Sequence, residues 1–208
     1  MKHHKRWLVG FLVVGLVAGV SGRFLPVADA DTDTAGATYE AQKATALANP
    51  YANDLGPASV DVSSYPQELQ DTYKNIFLVR CQRCHTASRP LNSQFVEPSG
   101  PKEGHQAKID AWKKSNPEMF QDKLVWQIEG WTSSHPGAWD RYVHKMMAKP
   151  GCNIAPAEGK KIWQFLTYDS ERRKTGAAAA AWAAHRRKLL ADFKAQHPDR
   201  YRELYEVQ

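Results

Sequence analysis

The stretch Cys81-Gln82-Arg83-Cys84-His85 lies near the middle of the chain and has the pattern C-x-x-C-H. Two thiols three positions apart on a helical turn lie on the same face, and the next residue places an imidazole just beyond them. Two of the three cysteines fall in this stretch, and the third is Cys152. Three cysteines are too few for a disulfide framework, so this motif is the main guide to fold and chemistry.

C-x-x-C-H is typical of covalent haem attachment, in which both sulfurs form thioether bonds to one porphyrin edge and the His becomes the fifth iron ligand. A zinc site would need a second ligand pair, and only Cys152 remains among the cysteines. A thioredoxin-type redox pair would need a βαβ context, which this helical pattern does not provide. We therefore expect one haem c held through Cys81 and Cys84, with His85 as a metal ligand.

The spacing of apolar residues predicts an all-α fold, because no alternation typical of strands is present. Helices are expected from Pro66 to Arg83, from Pro117 to Trp131, from Trp139 to Met147 and from Pro156 onward. Residues 86–104 are expected to form a loop, since several Pro and Gly residues interrupt them. After residue 176, two further helices are expected.

The chain resembles class I (mono-haem, His/Met) c-type cytochromes over about residues 70–170. The resemblance rests on the C-x-x-C-H motif and on the later stretch Tyr142-Val143-His144-Lys145-Met146-Met147-Ala148-Lys149-Pro150-Gly151. It implies that Met146 is the axial methionine, and that Phe77 and Phe165 match aromatic residues of the first and closing helices. It also implies a small haem-wrapping helical domain, whose first and last helices cross, acting as an electron carrier and not as an enzyme.

The chain departs from the family at two places. Tyr73 stands eight positions before the first haem cysteine, where many members have a glycine, so we expect a wider or shifted helix crossing. The span between His85 and Met146 is also long and contains four tryptophans. We expect these to pack around the ring edge and not to form a specific electron path: Trp112, Trp126, Trp131 and Trp139.

The sixth iron ligand has several candidates. Met146 and Met147 are adjacent and project about 100° apart on a helix, so only one can face the iron. We favour Met146, and Met147 is then a core residue. His144 is an alternative ligand, and so are His105 and His135. A third possibility is an open site, which would make the protein a haem enzyme or gas sensor. Pro90 is a candidate to hold the loop whose carbonyl accepts the His85 ring N–H, and Pro98 and Pro101 are equally available.

The first thirty residues resemble a secretory signal peptide. Lys2, Lys5 and Arg6 form the charged start, an apolar stretch follows, and Ala28-Asp29-Ala30 forms the cleavage site. The alternative is an uncleaved anchor, although the uncharged run of about 24 Å as a helix is shorter than the roughly 30 Å hydrocarbon core. Either interpretation predicts a periplasmic protein, free or anchored to the inner membrane.

The chain of 208 residues is 42% hydrophobic and 24% charged, which excludes a disordered tail, a collagen and a polytopic membrane protein. Its net charge of +6 is too evenly spread to favour a nucleic-acid partner, and half of it lies in residues 1–30. We expect redox proteins or a membrane electron-transfer complex as partners.

The predicted organisation has four parts: the leader (1–30), an acidic arm (31–65), the cytochrome domain (66–175) and a C-terminal extension (176–208). Trp182, Leu189, Leu190 and Phe193 form an apolar stripe in the extension, with Arg186 expected among the residues on its other faces. We expect that stripe to dock on a partner, and the alternative is that it packs on the rest of the chain. Cys152 is expected to be a small buried residue.

Overall fold

The computed structural model describes residues 40–129 and 137–207, which are largely helical. The all-α class expected from the sequence is confirmed. The helices are α1 (40–48), α2 (Gln67–Thr72, the π-helical turn Tyr73–Phe77 and Leu78–Cys81), α3 (Ser88–Leu91), α4 (His105–Ser115), α5 (Ala138–Met147), α6 (Pro156–Lys174), α7 (Ala179–Gln196) and α8 (Pro198–Tyr201, followed by the π-helical turn Arg202–Glu206). Within the described ranges, no helix has the length and apolar character needed to cross a membrane.

The helix expected over 117–131 is wrong. A 3-10 turn spans Pro117–Phe120, and β2 (Gln127–Ile128) then pairs in parallel with β1 (Phe95–Val96). Asp122 causes the change. Its carboxylate accepts a hydrogen bond from the Leu124 N–H, and its backbone carbonyl accepts from the N–H groups of Val125 and Trp126. The predicted loop also contains α3 and β1, and α4 was not expected.

Aromatic rings fill the crossing of α2 and α6. The Phe77 and Phe165 ring centroids are 5.1 Å apart, and those of Tyr73 and Phe165 are 5.2 Å apart. Tyr73 therefore packs in the crossing where many relatives of the expected family have a glycine, and its hydroxyl accepts a hydrogen bond from Val60 N–H at 3.0 Å. The π-helical turn of α2 contains both Tyr73 and Phe77. This first cluster also includes buried residues from the arm and α5: Val62, Tyr65, Trp139 and Val143.

Residues of α7 cover two further clusters of the same chain, so the expectation that the apolar stripe docks on a partner is wrong. Trp182 is buried in the second cluster, with Val96, Trp112, Met119, Val125 and Trp126. Leu190 and Phe193 are buried in the third, against Ala52 of the arm. The polar residues 170–174 belong to α6, and the chain folds back through Thr175 and the 3-10 turn Gly176–Ala178 into α7.

Arg186 was expected on an outward face of α7, but it is fully buried. Its guanidinium donates to the Leu124 carbonyl at 2.9 Å, to Asn53 Oδ1 at 2.5 Å and to the Asn92 carbonyl at 3.2 Å. Lys174, at the end of α6, is also fully buried, and its ammonium donates to the carbonyl of Ser93 at 2.8 Å. Carbonyl groups thus accept hydrogen bonds from two basic side chains that the helical pattern alone places in water.

Candidate functional site

The two motif cysteines lie at the C-terminal end of α2. Cys81 is the last residue of the helix, Cys84 follows three positions on, and both thiols are free. Burial raises the pKa of the Cys81 thiol to about 12, and burial also raises the pKa of Cys84. Cys152 contributes to both upward shifts, so it is near enough to interact electrostatically with both thiols. Cys152 itself is half-buried.

The His85 ring has one nitrogen held by the backbone. Nδ1 lies 2.9 Å from the Thr86 carbonyl oxygen, and because a carbonyl can only accept, Nδ1 carries the hydrogen and donates. Nε2 is then the lone-pair nitrogen that a metal requires. Burial lowers the pKa of His85, which favours the neutral ligand form. The accepting carbonyl of the loop belongs to Thr86, and the Pro90 carbonyl accepts from the backbone N–H and hydroxyl of Ser93.

The arm borders the site through an ion pair. Arg89 Nη2 lies 2.6 Å from Asp54 Oδ2, and both side chains are largely buried. The same nitrogen donates to the Ala46 carbonyl at 3.0 Å, and the guanidinium lies over the Tyr51 ring at 4.8 Å from its centroid. Arg89 and Asp54 both influence the pKa of His85. These contacts hold residues 46–54 against Arg89 of α3.

The two methionines, Met146 and Met147, lie on adjacent faces of α5. Val143 and Met147 lie one turn apart and face α6, since a Cβ added to Gly159 would lie 2.4 Å from Met147 Sδ and 3.6 Å from Val143 Cγ1. Tyr142 and Met146 share the neighbouring face. Burial raises the pKa of the Tyr142 hydroxyl, and the next contribution comes from Cys81. Tyr142 is thus near enough to Cys81 for an electrostatic interaction, and Cys81, Tyr142 and Met147 all pack against the first cluster.

A buried carboxylate fixes the start of α5. Glu97 is 3% exposed, and its oxygens accept from the Trp139 N–H at 3.1 Å, the Thr167 hydroxyl at 2.6 Å and the Trp163 Nε1–H at 3.1 Å. A Cβ at Gly137 would collide with this carboxylate, so the close approach requires glycine. Burial raises the pKa of Glu97. The three hydrogen bonds orient α5 against α6.

The other histidine candidates lie in different surroundings. His144 is largely exposed and forms an ion-pair contact with Asp140 one turn earlier. His105 is buried at the start of α4, with Nε2 at 3.0 Å from the Gly100 carbonyl. His135 and Trp131 lie outside the described residues. Trp139 belongs to the first cluster, whereas Trp112 and Trp126 belong to the second, away from the crossing of α2 and α6.

Several residues at the site were not found from the sequence. Asp54 and Arg89 are 35 positions apart, and no pattern in the sequence pairs them. Glu97 lies in a Pro-rich segment that indicates only a loop. Gly159 had a signal, because an isolated glycine inside a helical pattern usually has a packing reason.

Over residues 40–129 and 137–207, no group of three or more His, Cys, Asp or Glu side chains is arranged to hold a metal ion directly. No family model, no curated protein and no solved structure matches this chain.

Proposed function

We propose that this chain is a mono-haem c-type cytochrome that transfers single electrons outside the cytoplasm. The observation that carries the proposal is the C-x-x-C-H motif at the end of α2, with both thiols free and the imidazole Nδ1 bonded to a carbonyl. This donor set fits a haem, because two thiols are available for thioether bonds and His85 Nε2 is available for iron. Such a haem supplies an iron that accepts and releases one electron.

The protein side chains would bind and orient that group. Cys81 and Cys84 would fix one ring edge, and the Thr86 carbonyl would hold the plane of the His85 imidazole. Met146 is the proposed ligand from the opposite side, because it shares a face of α5 with Tyr142. Met147 instead packs against Gly159. A neutral thioether ligand raises the reduction potential relative to a second imidazole.

The partners we propose are redox proteins or a membrane electron-transfer complex, contacted through a small interface near the thioether edge. The leader-like residues 1–30 support export to the periplasm, either with cleavage after Ala30 or as an anchor. Neither the charge balance nor any motif favours a nucleic-acid partner.

Mass spectrometry of the protein made in a host with haem-attachment machinery tests the cofactor. We expect one covalent haem in the parent protein and in Cys152→Ser, which retains both attachment thiols. Cys81→Ser and Cys84→Ser should each lose stable holoprotein. A folded parent protein at the apoprotein mass would overturn the proposal.

Absorption spectra of two neighbouring variants test the sixth ligand. Met146→Ala should lose the thioether-to-ferric-iron band, and Met147→Ala should keep it. The reverse result would move the ligand by one residue. A parent protein that is high-spin and shifts on addition of CO would instead support the alternative function, a haem enzyme or gas sensor with an open site.

A further inference from the structure

The third cysteine of the chain, Cys152, has no part in the proposed haem attachment. It lies in the segment 148–155, which joins α5 to α6 and directly follows the two methionines. Cys152 is partly exposed, as are Cys81 and Cys84, and all three thiols are free. Free thiols form a disulfide bond only where the backbone brings them close together, so the position of Cys152 relative to the motif decides what it can do.

A side-chain hydrogen bond joins the direct neighbours of Cys84 and Cys152. Arg83 Nη1 donates to Asn153 Oδ1 at 2.5 Å, although the two residues are 70 positions apart in the chain. Cys152 is also near enough to both motif cysteines to contribute to their raised pKa values. The hydrogen bond and the electrostatic interaction therefore agree in placing Cys152 beside the motif.

A second contact holds the same two parts of the chain together. Arg80, in the last turn of α2, donates to Glu158 Oε1 at 2.7 Å, and Glu158 Oε2 accepts from the Ala155 N–H at 3.0 Å. Within the segment, Gly151 has a φ of 76° and the Cys152 N–H donates to the carbonyl three residues earlier at 3.1 Å. The turn that contains Cys152 is thus fixed both internally and against the end of α2.

We propose that Cys84 and Cys152 form a disulfide bond when the chain without haem meets a low-molecular-weight or protein disulfide. One protein thiol attacks a sulfur of that disulfide, and the second protein thiol then attacks the mixed disulfide. The two protein thiols are oxidised to one S–S bond. The attacking disulfide is reduced to two thiols, which take up the two protons.

This bond regulates haem attachment, and that consequence rests on the proposed function. A thioether forms from a free thiol, so Cys84 cannot be bonded to Cys152 and to a haem at the same time. The disulfide also ties the segment that follows Met146 to the motif, whereas the proposed haem lies between Met146 and His85. Reduction of the bond returns the chain to the form that can attach haem.

Peptide mapping tests the bond in the full-length chain, made without haem-attachment machinery and oxidised with glutathione disulfide at pH 8. After the free thiols are blocked, trypsin cleaves after Arg83 and separates Cys81 (peptide 81–83) from Cys84 (peptide 84–102), while Cys152 lies in peptide 146–160. We expect peptides 84–102 and 146–160 to be linked, and to separate on reduction. A link from 81–83 to either of the other peptides in place of this one, or three free thiols, would overturn the proposal.

Urea and two variants show whether the fold directs the bond. In concentrated urea the short loop between Cys81 and Cys84 should close instead, because closing a short loop costs less chain entropy. Asn153→Ala removes the contact beside Cys152 and should slow formation of the bond by about twofold to tenfold, the equivalent of one hydrogen bond. Asn75→Ala changes an exposed amide of α2 and should leave the rate unchanged. Equal yields of the bond with and without urea, or equal rates for the two variants, would contradict the proposal.

Haem content in a host with haem-attachment machinery tests the regulation. As glutathione disulfide in the medium is increased, the parent protein should lose haem. Cys152→Ser should retain at least about twofold more haem per chain, because no thiol at position 152 can capture Cys84. Equal loss in the two proteins would show that the bond does not control attachment. Absence of haem from both proteins at every concentration would instead contradict the proposed function, and the peptide map would still decide whether the disulfide forms.

Discussion

The region around α2, α5 and α6 differs from the region under α7 in how its polar groups are used. Near the motif, two thiols and the His85 Nε2 are available for chemistry. Under α7, the polar groups at the centre are committed, because Arg186 and Lys174 donate to backbone carbonyls. Under the proposed function the first region holds a further group, whereas the second is filled by protein side chains.

This difference separates two sources of stability. A region that receives a large apolar cofactor is stabilised by binding it, so its stability depends on whether the cofactor is present. A region with a closed core depends on its own side chains. Substitutions in α7, or in the core that it covers, should therefore lower the stability of the protein. They should have little effect on the amount of the proposed haem in each folded molecule.

Ending the chain after Lys174 should have the largest effect. Removing Trp182, Leu189, Leu190 and Phe193 takes away burial worth about 6 to 10 kcal/mol, comparable with the whole stability of a domain. We expect loss of a cooperative thermal transition in circular dichroism. Ending the chain after Gln196 retains α7 and should cost much less. An unchanged melting temperature after the longer truncation would show that the second region is not part of the core.

Replacing Arg186 with Met should destabilise the protein by about 2 to 4 kcal/mol, because buried acceptors at Leu124, Asn53 and Asn92 lose their donor. The melting temperature should fall by about 10 °C. Arg187→Met changes the exposed neighbour and should stay within about 0.5 kcal/mol of the parent. Haem content per folded molecule should not change in either variant. Equal stabilities of the two variants would contradict a structural role for Arg186.

The buried Lys174 should make stability depend on pH. Burial lowers its pKa well below the ordinary 10.5, and Arg173 adds to that shift. Between the lowered pKa and 10.5 the unfolded chain binds more protons than the folded one, so the free energy of unfolding rises with pH in that window.

Urea unfolding of the parent protein and of Lys174→Met at pH 7 and pH 9.5 measures this effect. As the pH rises, the free energy of unfolding of the parent protein should increase relative to that of Lys174→Met. The increase should be up to about 1.4 kcal/mol for each pH unit inside the window. Lys188→Met, at a largely exposed lysine, is the control and should show no such change. A difference that does not depend on pH would mean that Lys174 keeps its ordinary pKa.

Gly159→Ala should have the smallest effect and acts in the first region. The new methyl group would lie 2.4 Å from Met147 Sδ, so the methionine must move. Overpacking of this kind lowers the free energy of unfolding by about 1 to 3 kcal/mol, and the better helix propensity of Ala raises it by about 1 kcal/mol. We expect a net loss of about 1 kcal/mol in urea unfolding, and adding Met147→Ala should relieve the overpacking term. Stabilisation by Gly159→Ala alone would show that α5 and α6 are farther apart than described.

The sequence predicted the elements whose apolar spacing is regular. The helices ending at Cys81 and beginning at Pro156 were expected close to where they lie, and so was α5. The structure of the 117–131 segment was not predicted. Its apolar residues have helical spacing, whereas Asp122 turns the backbone: Phe120, Leu124, Val125 and Ile128. A local hydrogen bond there outweighs periodicity.

The candidate site was predictable only where its residues are contiguous. C-x-x-C-H can be read directly from the sequence, but the Arg89–Asp54 pair and the Glu97 hydrogen bonds join residues from distant segments. The sequence also could not show whether the apolar stripe packs on this chain or on a partner, because an amphipathic helix has the same pattern in both cases. Its partners in the fold include Ala52 of the arm and Trp126 of the 117–131 segment, and no pattern in the sequence pairs either segment with α7.

The hydrogen bond between Asn53 and Arg186 joins residues 133 positions apart, and this separation has a consequence for the order of folding. Closing so long a loop costs chain entropy and requires nearly the whole described chain to be available, so this contact forms late. Cys81 and Cys84 lie inside the loop that it closes. Until that contact forms, the segment with both thiols is not held within a closed loop. The proposed attachment of a haem at these cysteines is therefore expected to precede the final closure of the chain.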